Sequence, residues 1–373
     1  MNSNYLICRN EVYIEDIWVG QFESFVLTGN DKQLGDSAVL TLPLYAIGIE
    51  QQGEARSRMR EVFKPNVIKP FAHVEVYMWY EGYEKMRVFN GLIEQVVEGF
   101  PTTLYLRDFT LILKFGRVQK VWGDVKMTQI MQDILPIANE AFAKERENMG
   151  FDINPNIPEL TYTTDGPFVQ AATSTFPFNN PVDFSPYDTV QRLMQLMVLY
   201  GGVTDDGKVY IGGLTKNSTA PIEKLNTKYN VFGADLIRED SRFINYEVKV
   251  TGILKTGKRY TATGGLRTSR STKQKSELDK RYAETIRSYS TLDSVAELDK
   301  FADKMLLSLQ GRRNKGKLIL PLYPKVDPLQ TVEFTHTLFP ELSGQYYVLE
   351  YQLKGDVNGF FQTLTVTDKV FAI

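Results

Sequence analysis

The amino-acid sequence predicts an α+β fold, mainly β: two duplicated antiparallel β-barrel domains with an intervening α/β module. Three observations carry that expectation. A six-residue string near residue 40 returns near residue 318, and further matches follow it in the same order. Around both copies, apolar and polar residues alternate in runs rich in Val, Tyr, Phe and Thr, the period of half-buried strands. Between the copies the period changes to the helical one.

In chain order, the first domain is expected over residues 1–115. Leu40-Thr41-Leu42-Pro43-Leu44-Tyr45 opens its repeat and reappears as Leu318-Ile319-Leu320-Pro321-Leu322-Tyr323. Val74-Glu75-Val76 is then matched by Val332-Glu333-Phe334. The stretch from Val88 to Asp108 aligns without a gap to that from Val348 to Asp368, with Gly99-Phe100 and Asp108 echoed by Gly359-Phe360 and Asp368. Proline cannot donate to a sheet ladder, so Pro43 and Pro321 belong at strand ends or edges. An insertion over about residues 46–70 carries Arg56, Arg58 and Arg60 and is expected to protrude.

The α/β module is expected over 116–227. Asp124 is a candidate cap for a helix bearing Ile130, Met131, Ile134, Leu135, Ala138 and Phe142 at helical spacing and ending before Gly150. Pro136 should kink or divide it. Residues 151–184 show no clear period and read as loop. Ser185-Pro186 pairs an N-cap with proline at the first helical position, ahead of a Val190, Leu193, Met194 and Met197 packing stripe. Val203 to Ile211 reads as two strands around an Asp206-Gly207 turn. The second barrel, 228–373, resumes alternation at Phe243–Val250. An inserted helix, 291–310, should turn Leu292, Val295, Leu298, Ala302, Met305 and Leu309 inward.

A chain of 373 residues exceeds the usual size of one hydrophobic core, which itself argues for several domains. Hydrophobic residues at 43% and charged residues at 24% match a globular average and exclude a largely disordered chain. A formal charge of −2 provides no global attraction to nucleic acid or anionic membranes. Cys8 is the only cysteine, so neither an intrachain disulfide nor a thiolate metal cage is possible. Met1 to Tyr5 lacks the basic and apolar regions of an export signal, and no stretch is apolar enough to span a membrane. A soluble protein is expected.

The chain offers little to catalysis. His73 and His336, its only histidines, lie near predicted strands and read as ordinary strand residues, which leaves no zinc site of usual ligand type. No Gly-x-Ser-x-Gly elbow is present. Gly252 to Arg259 fits the G-x-x-x-x-G-K pattern of a phosphate loop. Arg259, however, stands where a magnesium-binding hydroxyl is needed, and no helix pattern follows, so a β-turn is expected. Lys255-Thr256-Gly257 has no Ser-x-x-Lys partner. Paired acids for glycoside hydrolysis are not legible in one sequence. No cofactor and no enzymatic activity are expected. The segment Lys255 to Arg287 includes Arg267, Arg270, Lys273 and Lys275 among Gly, Ser and Thr. It reads as a solvated loop, a contact with a partner protein, or a nucleic-acid-binding arm.

The two copies, the helix and hairpin after Ser185, and Asp279-Lys280-Arg281-Tyr282 ahead of the last helix together resemble the baseplate hub proteins of phage tails. So does the closing run Gly344-Gln345-Tyr346-Tyr347-Val348-Leu349-Glu350 with Phe360 to Val366. This is the late control protein D family, related to the N-terminal part of VgrG spikes. The resemblance spans nearly the whole chain, departing in the first-copy insertion and in the long middle segment. It implies a homotrimer in the virion's tail baseplate, assembled in the host cytoplasm. Three chains with two barrels each would form a pseudo-sixfold adapter between the tail tube protein and the central spike protein, touching other baseplate proteins. Its lumen would pass DNA or a tape-measure protein. The basic loops, Arg56, Arg58, Arg60, Arg267, Arg270, Lys273 and Lys275, are candidate partner contacts. A carbohydrate- or receptor-binding tail component is the alternative.

Overall fold

A computed structural model describes residues 7–30, 33–43, 68–99, 101–120, 122, 124–164, 166, 169–171, 175–177, 183–197, 199–214, 222–240, 245–254, 256–264, 283–289, 294–309 and 312–368. The predicted alternation becomes strands. The first copy holds β1 (Cys8–Ile14), β2 (Ile17–Gly20), β3 (Ser24–Asn30), β4 (Ser37–Leu42), β5 (His73–Tyr80), β6 (Met86–Val97) and β7 (Thr102–Arg107). In β3, Phe25 and Leu27 are buried while Val26 and Thr28 are only partly so, the two-residue period of a sheet with one covered face.

The middle of the chain supplies β8 (Asp124–Lys126), α1 (Met127–Asn148), β9 (Thr161–Tyr162), β10 (Val169–Ala171), β11 (Thr175–Pro177), α2 (Pro186–Met197), β12 (Tyr200–Val203) and β13 (Lys208–Leu214). The stripe predicted for α1 and Val190, Leu193 and Met194 of the stripe predicted for α2 pack with the 3-10 turn Phe109–Lys114 and with Val209 and Ile211 of β13 in one core; the Met197 side chain lies outside the described residues. Ser185 caps α2: its hydroxyl oxygen accepts from the Asp188 amide at 3.1 Å and donates to the Asp188 carboxylate at 2.7 Å. Three expectations change here. Asp124 lies in a strand paired with β11 and does not cap α1. Pro136 sits inside α1 without dividing it. Residues 151–184, read as loop, contribute β9, β10 and β11. Arg146, buried near the end of α1, fastens that helix to the β1–β2 turn through Glu15, 3.1 Å away.

The second copy comprises β14 (Glu223–Asn226), β15 (Gly233–Asp240), β19 (Arg312–Pro321), β20 (Thr331–Thr335), β21 (Gly344–Asp356) and β22 (Gly359–Thr367). Inserted between β15 and β19 are β16 (Asn245–Ile253), β17 (Arg259–Thr263), β18 (Ala283–Tyr289) and α3 (Val295–Leu309). The insertion forms its own three-stranded sheet, with Val248, Val250 and Ala262 packed on Leu298, Ala302 and Leu306. Val295, expected inward, is 41% exposed, because it begins the helix ahead of the packed stripe.

The duplication is written in the strand pairings. The first copy pairs in the order β3-β4-β7-β6-β5-β1, and the second in the order β15-β19-β22-β21-β20-β14. Leu40 stands opposite Leu104, and its echo Leu318 opposite Leu364. The hairpins β6–β7 and β21–β22 carry register shifts at matching places, between Ile93 and Gln95 and between Val348 and Glu350. Two residues with positive φ, Phe71 at 71° and Leu329 at 68°, occupy equivalent positions, donating to Ile93 O and Val348 O. One expectation is corrected. The ungapped alignment of Val88–Asp108 with Val348–Asp368 holds for β7 and β22 but not for the strands before them. Val97 pairs with Thr103 while Gln352 pairs with Thr363, so five more residues lie between the paired positions in the second copy. They extend its hairpin to a two-residue turn whose Val357 is 91% exposed. Direction also differs: β1 is antiparallel to β5, but β14 is parallel to β20. The copies share one continuous core within a 13-stranded sheet, and among the described residues the pairings form an open path.

Candidate functional site

A strand paired on one side presents unmatched amides and carbonyls on the other, so sheet edges are sites where chains join. In this chain the copies join in that way. β21 runs antiparallel to β3 through six pairs, from Glu350 with Asn30 to Gly355 with Phe25. The Tyr351 ring lies over Gly29, where an added Cβ would stand 2.3 Å from it; only glycine fits. Phe22, Phe360 and Tyr80 pack together beside the joint. The Tyr80 hydroxyl donates to Phe360 O at 3.0 Å and accepts from the Leu322 amide at 3.1 Å.

Under this joint lies a buried polar knot. Tyr351 donates to Asp36 Oδ2 at 2.8 Å, and the Asp36 amide donates to Asp108 Oδ2 at 2.8 Å. Asp108 also accepts from the Thr110 amide and hydroxyl, capping the turn that leads to α1. Burial, with the neighbouring Asp108 charge, pushes the Asp36 carboxyl up to about 7, and burial raises Asp108 as well. Burial opposes the charge on Lys325, but Asp327, 3.3 Å away, and Asp36 hold its pKa above the usual lysine value. Tyr210, from β13, is raised by burial and by the same acids. Both copies and the middle module therefore meet at one carboxylate pair.

Two edges equivalent to those of the joint remain open. β15 pairs only with β19, and β6 beyond Ile93 pairs only with β7, among the described residues. β15 occupies in the second copy the place of β3, and β6 occupies in the first the place of β21. The chain thus carries one closed joint and the two halves of another.

Of the residues expected to touch partners, Arg56, Arg58, Arg60, Arg267, Arg270, Lys273 and Lys275 all lie outside the described residues. The phosphate-loop pattern is a hairpin turn between β16 and β17, with Gly257 at φ 76° and the Leu254 amide bonded to Lys258 O at 2.9 Å. His73 is buried with Nε2 2.7 Å from Asn90 Oδ1, and His336 Nδ1 accepts from the amides of Leu338 and Phe339. Among the described residues no cluster of His, Cys, Asp or Glu could hold a metal ion, and no helix is long and apolar enough to cross a membrane. Sequence reasoning missed Asp36 and Tyr351. Asp108 was visible as a repeated residue, but its partner lies 72 positions away.

This is the fold of phage tail proteins. The chain is similar to the tail protein from Neisseria meningitidis MC58, with 12% identity and a TM-score of 0.61 over 98% of each chain. It is similar to the 43 kDa tail protein of prophage MuSo2 from Shewanella oneidensis, with 13% identity and a TM-score of 0.55 over 96% of this chain and 97% of that one. It is similar to prophage tail protein gp18 from Listeria monocytogenes EGD-e, with 12% identity and a TM-score of 0.50 over 95% and 94%. No protein-family model matches the chain, and no curated protein matches it.

Proposed function

We propose that the chain is a structural, non-enzymatic component of a phage tail, a baseplate hub in which three copies close into a pseudo-sixfold ring. The ring joins the hexameric tail tube to a trimeric central spike, contacts other baseplate proteins and surrounds a channel for DNA or a tape-measure protein. The virion baseplate is its place, after assembly in the host cytoplasm. The observation that carries this reading is the repeated six-strand unit, with one joint closed inside the chain and a second left as two open edges. Three chains of two units offer six similar lobes, which is what an adapter between sixfold and threefold partners needs. The domain division 1–115, 116–227 and 228–373 belongs to the same proposal, with β14, just ahead of the last boundary, pairing into the sheet of the second copy. So does a partner-contact role for the basic segments around Arg58 and Arg270.

Cryo-microscopy of the tail that contains this protein tests the proposal. Three copies around the axis, coaxial with the tube, are expected. Another copy number removes the adapter, and a peripheral position favours the carbohydrate- or receptor-binding alternative.

A further inference from the structure

The internal joint prescribes how its open counterpart closes. We propose that residues Gln95–Val97 of β6 pair antiparallel with residues Ile237–Glu239 of β15 in a second copy of this chain; the inference rests on the ring reading and specifies its interface. Matching hydrogen-bond partners make Gln352 equivalent to Val97, since they stand opposite Thr363 and Thr103. They make Thr28 equivalent to Ile237, since these stand opposite Ser37 and Lys315. Inside the chain Gln352 pairs with Thr28. Between chains, Val97 therefore pairs with Ile237, Val96 with Arg238 and Gln95 with Glu239.

One observation that played no part in deriving this register agrees with it. Val97 is 44% exposed and Ile237 is 63% exposed, and the register sets these apolar side chains directly opposite each other. In addition, Asn314 and Asp368 are the second-copy counterparts of Asp36 and Asp108: the Asp368 amide donates to Asn314 O at 3.0 Å, as the Asp108 amide does to Asp36 O at 3.1 Å. Among the described residues, Asn314 Oδ1 and Asp368 Oδ1 are buried without a hydrogen-bond partner. Such orphaned acceptors are rare in native interiors. Arg238 stands directly opposite Asn314 on β15. In the internal joint a tyrosine on β21 covers a glycine on β3. In the intermolecular joint the sizes are exchanged, Val96 on β6 against Arg238 on β15; within the chain the side chain bonded to Asn314 is that of Tyr346.

Disulfide trapping in the full chain, with Cys8→Ser, tests the register. Directly opposed residues in an antiparallel pair have Cα atoms about 4.5–5.5 Å apart, within the range a disulfide spans. The Val97→Cys, Ile237→Cys double variant should give covalent trimers on oxidation, and the single variants none. Val97→Cys with Asp235→Cys, two residues out of register on the same face, should not link. Linking of the Asp235 variant in place of the Ile237 variant overturns the register and leaves the ring intact. An open-ended ladder of linked chains upholds the pairing and overturns the ring. Absence of any intermolecular link overturns the interface.

Discussion

Asp36 and Asp108 show how a buried acid pair makes a fold's stability depend on pH. The buried Asp36 carboxyl holds a proton that the unfolded chain releases near pH 4, because burial and the neighbouring Asp108 charge push it up to about 7 when folded. The sign follows. Between those values the unfolded chain loses the proton and the folded chain keeps it. This contribution is therefore full in acid and is lost as pH rises through 7, by about 1.4 kcal/mol per pH unit inside the window. Asp36→Asn should flatten the slope, since the amide oxygen can still accept from Tyr351 and asparagine already fills the equivalent place at Asn314. Urea midpoints from pH 5 to 8 check it; equal slopes in variant and wild type would dismiss the proton held at Asp36. None of this was legible in the sequence, because carboxylates so far apart in the chain give no local pattern.

At the scale of elements, legibility followed period. The stripe of α1 from Ile130 to Phe142, the cap and stripe of α2, and the Asp206-Gly207 hairpin were all readable, because each depends on residues within a few positions of one another. Ser185→Ala removes the acceptor for the Asp188 amide and should lower stability by about 1 kcal/mol, measurable as a shift of the urea midpoint at unchanged slope. Short strands such as β9 and β11 were missed, since two or three residues cannot establish a period and their partners are distant. The positive φ at Phe71 and Leu329 was equally hidden. Neither is glycine, and it is the tertiary bonds to Ile93 and Val348 that hold them there. The ungapped alignment failed for a related reason, because a longer hairpin moves one strand past its partner without disturbing the alternation in either.

In the whole molecule, the shared core predicts that the two copies lose structure together. Hydrogen exchange should show the amides of β3, β4, β21 and β22 opening with a common free energy, and separate openings of the two copies would contradict the joint described between them. The inserted sheet of β16 to β18, with its own small core, should exchange earlier. The longer hairpin of the second copy has a mechanical corollary. Its extra residues carry β21 as far as Gly355 alongside β3, whereas β6 stops at Val97. In a three-chain ring the seams would therefore alternate, six backbone pairs inside each subunit and three between neighbours. Under load such a ring parts at its short seams and leaves every long one shut, so it can dilate as three stiff staves instead of breaking into six.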